Sequence, residues 1–262
     1  MQYIYPFISG KNFTYIPSPY LVINAVTESM LNRVTLNDNK IRRIIGKEVI
    51  EHYVYDIVKQ LDTVTWISNE IEYFKGKDRV LSPDVIAAED DKVIFYDTKA
   101  ITPSLKLRKF DIVEIEKDIE IYAKDVVQIY NQINNYLKGF FRLNNVYTKE
   151  NIFGIVVVLE DAVVPRKKVY DSAISILLES GAILEQEEKD YICSHIKVLP
   201  LRAIECMILQ NTSLLPELQL QLSKPERWYY YTYSNASTDN GLIPSYLQYE
   251  KEIKKRIKSR GL

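Results

Sequence analysis

Residues 82–100, SPDVIAAEDDKVIFYDTKA, decide how this 262-residue chain is read. Two apolar runs, PDVIAAED and KVIFYDTKA, flank the acidic EDDK and predict a β-hairpin. Side chains alternate along a strand, so Val93, Phe95, Asp97 and Lys99 share one face while Thr98 points the other way. Strand interiors favour Val, Ile, Phe and Tyr and disfavour Asp and Lys. A charged pair closing an apolar strand breaks that rule, and such breaks mark functional sites. Just upstream, Pro83 suits the first residue of a strand, where no ladder donor is needed. Antiparallel pairing of the two runs brings Asp84 beside Asp97.

Two carboxylates brought together repel one another, and a hard divalent cation relieves that repulsion. Magnesium takes oxygen ligands, commonly one or two carboxylates with waters and phosphate oxygens. It polarises a phosphoryl oxygen and lowers the pKa of an attacking water. A neighbouring lysine then has a task, orienting that water or neutralising charge that develops on the phosphate. The chemistry implied is phosphodiester hydrolysis. Asp/Glu-x-Lys alone carries little weight, because it also occurs at Asp38-Lys40, Asp90-Lys92, Glu187-Lys189 and Glu252-Lys254. Only Asp97-Lys99 closes an apolar strand with Pro-Asp at hairpin distance.

The flanking sequence supplies the rest of a layered structure. Ile45, Val49, Tyr53, Ile57 and Leu61 recur at helical spacing and predict an amphipathic helix over 39–61. A strand is expected over 69–74, ended by the turn-like KGKD, and a long helix over 116–140, stopped near Gly139. The run NIFGIVVVLED (151–161) reads as a strand buried on both faces. A helix over 166–182 with Gly181 as its cap and a final strand over 191–201 complete the order. Helix, three strands, helix, strand, helix, strand is an α/β arrangement around a mixed sheet.

Pro83-Asp84 followed by Asp97-Thr98-Lys99 resembles the PD-(D/E)XK nuclease superfamily, the restriction-endonuclease-like fold. Its helix-strand-strand-strand-helix-strand core matches the order read over about 40–160. The resemblance implies that Asp84 and Asp97 bind Mg2+ or Mn2+, that the Thr98 carbonyl is a further ligand, and that Lys99 is catalytic. The first helix of the superfamily contributes another acid in a pattern like Gly-x-x-Phe-Glu-x-x-Val. Here GKEVIEHYV offers Glu48 and Glu51. Glu51, between Ile50 and Val54, fits better, although it lies one residue further from Gly46 than the pattern has it. Gln132-x-x-x-Tyr136, with Gln128 a turn earlier, resembles the Gln-x-x-x-Tyr motif of RecB-type members, which shapes the site or holds DNA. His52 is turned about 100° from Glu51 on the same helix and is read as a surface or packing histidine. Lys106 and Arg108, just after the strand, are read as phosphate contacts or as solvated loop charges.

Composition sets outer bounds. With 47% hydrophobic and 26% charged residues the chain reads as globular, and a net charge of -1 leaves no global basic field to attract DNA. Cys193 and Cys206 form neither a ligand cluster nor a disulfide framework, so a reducing cytoplasm is expected. No apolar run approaches a membrane span. A tyrosine-rich stretch (228–246) is read as packing, with base stacking as its alternative, and a basic amphipathic helix (249–260) as solvated charge, with nucleic-acid or partner binding as its alternative. The expected organisation is an N-terminal extension (1–38) packed on the core, a nuclease core (39–160) and a C-terminal elaboration of the same domain (161–262). The expected activity is metal-dependent cleavage of DNA, in restriction, defence or DNA processing. Double-strand cutting by a one-site chain would call for a homodimer or a protein partner. The alternatives are a non-catalytic nucleic-acid-binding or assembly module on this fold, and a structural α/β protein whose Asp97-Lys99 pair is only a salt bridge.

Overall fold

The structure is a computed structural model that describes residues 8–9, 11, 14–15, 39–101, 111–159, 164–209 and 213–222. Lys106, Arg108, the tyrosine-rich stretch, the basic C-terminal segment and most of the N-terminal extension lie outside these residues.

Two short strands, β1 (Ile8–Ser9) and β2 (Thr14–Tyr15), pair with each other. A continuous helix follows, built of α1 (Asn39–Ile45), a π-helical turn (Gly46–Glu51) and α2 (His52–Val58). Next come β3 (Trp66–Asn69), β4 (Glu72–Lys75), β5 (Asp78–Leu81), β6 (Val85–Glu89), β7 (Lys92–Lys99) and the long α3 (Ile112–Leu137). The chain continues through β8 (Ile152–Val158), α4 (Arg166–Glu179), α5 (Gln186–His195), β9 (Ile196–Pro200), α6 (Leu201–Leu209) and α7 (Leu215–Leu222).

The central sheet has five strands in the order β3-β6-β7-β8-β9, so the chain is mixed α/β. β3, β6 and β7 pair antiparallel, and β7, β8 and β9 pair parallel. The Asp90-Asp91 turn joins β6 to β7, with Asp90 in the left-handed region (φ 54°), which aspartate tolerates. Val93 and Phe95 of β7 face a core shared with α3, α4 and α5. Ile94 and Tyr96 face a second core shared with the first helix, α6 and α7. Both sides of the sheet are thereby covered, which is why β6, β7 and β8 read as nearly unbroken apolar runs.

Several elements depart from the sequence reading. Of the expected 39–61 stripe, Ile57 and Leu61 are buried, but Val49 is 56% exposed, and Ile50, Val54 and Val58 join the buried face. The departure falls within the π turn, whose extra residue leaves Ile50 buried and Val49 exposed. The 69–74 strand is not one element. β3 ends at Asn69, and β4 belongs to a separate two-stranded hairpin with β5. KGKD ends β4, as expected of a turn, and joins it to β5. The base of the hairpin is clamped by Ser82, whose Oγ accepts from the Ile71 amide (2.7 Å) while its own amide donates to the Ile71 carbonyl (2.9 Å). α3 begins four residues before the expected start because the Asp111 carboxylate caps it, accepting from Val113 and Glu114 amides. The strand expected over 191–201 is helix α5 up to His195 and strand only from Ile196. Glu187 and Glu188 in the first turn of α5 favour that helix, and the alternating Tyr191, Cys193 and His195 mimic a strand period. Both cysteines are free thiols. No helix among the described residues is long and apolar enough to cross a membrane.

Gly139 (φ 77°) and Gly181 (φ 86°) terminate α3 and α4 in the left-handed conformation expected of a helix C-terminus. Gly154 has a different reason. A Cβ there would lie 3.1 Å from Cδ1 of Ile129, so glycine lets α3 settle closely on β8. Ile129 is fully buried and has little room to yield. Gly154→Ala is therefore expected to destabilise by about 1–2 kcal/mol, the overpacking cost outweighing the ~0.5–1 kcal/mol that alanine gains in a strand. Urea denaturation checks this: the midpoint falls, and adding Ile129→Val restores part of the loss. An unchanged midpoint contradicts the close-approach reading.

Candidate active site

The pairing of β6 with β7 ends at Val85↔Tyr96, and β7 runs on for three more residues against β8. Asp84 takes over where the ladder stops. Its Oδ2 accepts from the Thr98 amide (2.6 Å) and from the Thr98 hydroxyl (2.8 Å). The Thr98 N–H, left without a strand partner on that side, is satisfied by a side chain. Asp84 is thus fixed next to Asp97 by backbone geometry.

Asp97 is only 2% exposed. Its Oδ2 lies 2.6 Å from the Lys99 ammonium, and its Oδ1 accepts from Nε2 of Gln128 (3.3 Å). Oε1 of Gln128 accepts in turn from Lys99 Nζ (3.1 Å), closing a triangle of three side chains. Burial pushes the Asp97 carboxyl up to about 6, against the pull of Lys99 and with a further push from Asp84. Burial works against the Lys99 ammonium, but the Asp97 carboxylate prevails and holds its pKa above the ordinary lysine value. Lys99 stays charged.

Glu51 ends the π turn and is half-buried. Burial first, and then the negative charge of Asp84 and Glu70, push its carboxyl up to about 7. Glu48 is exposed, so the two candidate acids of the first helix have different surroundings and only Glu51 turns toward the strand ends. The longer Gly46–Glu51 spacing is accommodated by the π turn. His52 is exposed, with Nδ1 3.3 Å from the Lys47 carbonyl. Glu70, between β3 and β4, lies 3.8 Å from Lys47, and burial raises its carboxyl in spite of that lysine.

A cleft of about 620 Å³ opens beside Asp84, Asp97, Gln128 and Glu70, while Lys99 and Glu51 are not part of its lining. One wall is α3, through Gln128, Asn131, Gln132 and Asn135, and the other is the β4–β5 hairpin and its base, through Arg79, Leu81 and Ser82. Asp84, Asp97 and Glu70 also line it. Gln132 is 6% exposed, and its Oε1 is buried without a hydrogen-bond partner. Tyr136, one turn on, does not line the cleft. Its hydroxyl accepts from the Tyr147 amide (2.9 Å) and donates to the Asn145 carbonyl (3.3 Å), and its ring packs edge-on against Phe95. In this chain Tyr136 holds the 145–147 loop.

Sequence reasoning missed three features. Glu70 was read as part of the 69–74 strand, whereas it lies in the link between β3 and β4. The hairpin wall was read as the end of an element. Asp125 sits one turn before Gln128 on the same face of α3, so spacing alone was enough to find it. Its Oδ2 is buried with no hydrogen-bond partner. Burial pushes the carboxyl up to about 7, with Lys99 opposing and Asp97 adding to the rise.

The donor set fits a hard cation in kind: Asp84, Asp97 and Glu51 are oxygen donors, and the charge of Asp84 adds to the burial that raises the Asp97 and Glu51 carboxyls. Among the described residues, however, no three His, Cys, Asp or Glu side chains gather closely enough to hold an ion as they stand. Asp84 is turned onto Thr98, and Asp97 onto Lys99. Compared with models of known protein families and with curated proteins, the sequence matches none.

The raised Glu51 carboxyl carries a stability signature. In the unfolded chain it ionises near its ordinary value of 4.5, in the folded chain near 7. Between those values the folded chain binds the extra proton, so stability falls as pH rises through the window. Glu51→Gln is expected to leave Tm nearly unchanged near pH 4.5 and to raise it at pH 8, partial exposure keeping the gain small. Thermal unfolding at the two pH values measures it, and equal shifts at both contradict the assignment.

Proposed function

We propose that this chain is a Mg2+- or Mn2+-dependent nuclease with a restriction-endonuclease-like core that hydrolyses DNA phosphodiester bonds. The observation that carries the reading is the triangle of buried Asp97, half-buried Lys99 and exposed Gln128 beside Asp84 at the ends of two paired strands. A carboxylate that lines a cleft, paired with an ammonium on the same rigid strand end, has a chemical use that a surface ion pair lacks.

Asp84 and Asp97, with Glu51 from the first helix, would hold the cation. When bound, the metal would supply Lewis-acid polarisation of a phosphoryl oxygen and a more acidic water. Lys99, kept charged by Asp97 and oriented by Gln128, positions the attacking water and offsets negative charge on the phosphate. Gln128 fixes the direction of the lysine, because its amide bonds both members of the pair. Gln132 and Asn131 face the cleft where substrate would lie, and Arg79 on the hairpin wall offers a phosphate contact. Two free thiols accord with a reducing cytoplasm.

A second reading, a nucleic-acid-binding module without catalysis, draws on one observation: Asp84 and Asp97 are both engaged within the protein, and no three acids are gathered for an ion. Cleavage of supercoiled plasmid and of single-stranded DNA, with Mg2+, Mn2+ or EDTA, separates the two. The nuclease reading expects metal-dependent product, reduced by roughly 10²–10³-fold or more in Lys99→Ala and in Asp97→Asn. Circular dichroism should show both variants folded. DNA association without product under any metal supports the binding module, and full activity in the Asp97→Asn/Lys99→Ala double variant overturns the site.

A further inference from the structure

We propose that Asp125 is the second counter-ion of Lys99, receiving the ammonium when a cation draws Asp97 away. The inference rests on the nuclease reading and goes beyond it by giving a role to a residue outside the acid-acid-lysine set. Asp97 is asked to do two things. It holds Lys99 through Oδ2 at 2.6 Å, and it would be a ligand of the cation. A carboxylate drawn onto a divalent ion gives up much of its charge to that ion. Lys99, with its side chain only 21% exposed, would then be a partly buried cation without a partner. Leaving a buried charge unpaired is costly, more so than any single hydrogen bond returns.

α3 offers the remedy. Asp125 and Gln128 are three residues apart and share a helix face, and Gln128 is bonded to Lys99. Asp125 acts on the Lys99 ammonium as the next carboxylate after Asp97. Its Oδ2 is buried and bonded to nothing. A buried acid oxygen with no donor is unexplained by folding, since buried polar groups are almost always satisfied. It is explained if the donor arrives in another state. Lysine suits the exchange, as its ammonium rotates on a flexible stem. Gln128, bonded to the ammonium through Oε1 and to Asp97 through Nε2, lies at the junction of the two positions. Asp125 is therefore a positioning residue: it acts through Lys99 and touches neither substrate nor metal.

Calorimetric titration with Mn2+ tests this without measuring cleavage, using the full chain as wild type, Asp125→Asn, Lys99→Met and the double variant. Circular dichroism and thermal unfolding confirm that each is folded. The expected result is an affinity roughly tenfold lower in Asp125→Asn than in wild type, about 1.4 kcal/mol. In the Lys99→Met background the same change should have little effect, because no ammonium is left to rehouse. Asp125→Glu, which keeps the charge, should recover most of the loss. Wild-type affinity in Asp125→Asn overturns the proposal while leaving the nuclease reading intact. So does an equal loss with and without Lys99, which would mark a direct field on the cation. Absence of Mn2+ binding by the wild type removes the nuclease reading and this proposal together.

Discussion

A carboxylate buried to 2% exposure at the end of a strand is the constraint around which the rest is arranged. Asp97 cannot remain charged there unaided, since an isolated ion in a protein interior is neutralised or paired. Lys99 supplies the opposite charge from the same strand face, and Gln128 reaches across from α3 to bond both. The apolar layers beneath keep these groups in place. Phe95 on the same face packs into the core under α3, while Tyr96 packs into the opposite core, so β7 has no freedom to rotate. A site held this way is rigid because its strand is buried on both sides.

The unequal lengths of β6 and β7 then generate the site. Had the two strands ended together, the Thr98 amide would have found a backbone carbonyl, and Asp84 would have no reason to turn inward. Instead β7 outlasts β6, the Asp84 carboxylate caps the ladder, and two acids from adjacent strands end side by side. The π turn brings the Glu51 carboxyl under the influence of both. Burial first, and then the neighbouring negative charge of Asp84, raises the proton affinity of Asp97 and Glu51, and a divalent cation would relieve the same repulsion.

The hairpin, the alternation along β7 and the proximity of Asp84 and Asp97 were legible because a period-2 pattern fixes which residues share a face. Buried runs such as β8 were legible because only a doubly covered strand is apolar at every position. Other features were not. In the first helix Ile57 and Leu61 were placed on the buried face, but Val49 was misplaced because it lies in a π turn, and no propensity marks where such a turn falls. The strand read over 69–74 runs the end of β3 into β4, and the return strand β5 was not read, so the hairpin that Ser82 clamps at its base went unseen. The α5 helix was lost to a short alternating run, Tyr191-Ile192-Cys193-Ser194-His195, whose pattern fits either period. Gln132 and Tyr136 share a sequence motif but part company in space, one lining the cleft and the other locked onto the Asn145–Tyr147 loop. Spacing places two residues on a helix face, and only packing decides which of them faces the site.

The central claim is that the ends of β6 and β7 form a cation site. The most direct test is a crystal grown or soaked with Mn2+, with anomalous scattering recorded to locate the ion. The account predicts an anomalous peak in contact with both Asp84 and Asp97, with the Asp97–Lys99 contact opened. A well-ordered crystal with no peak between those carboxylates, and with Asp97 still paired to Lys99 at saturating Mn2+, would contradict it.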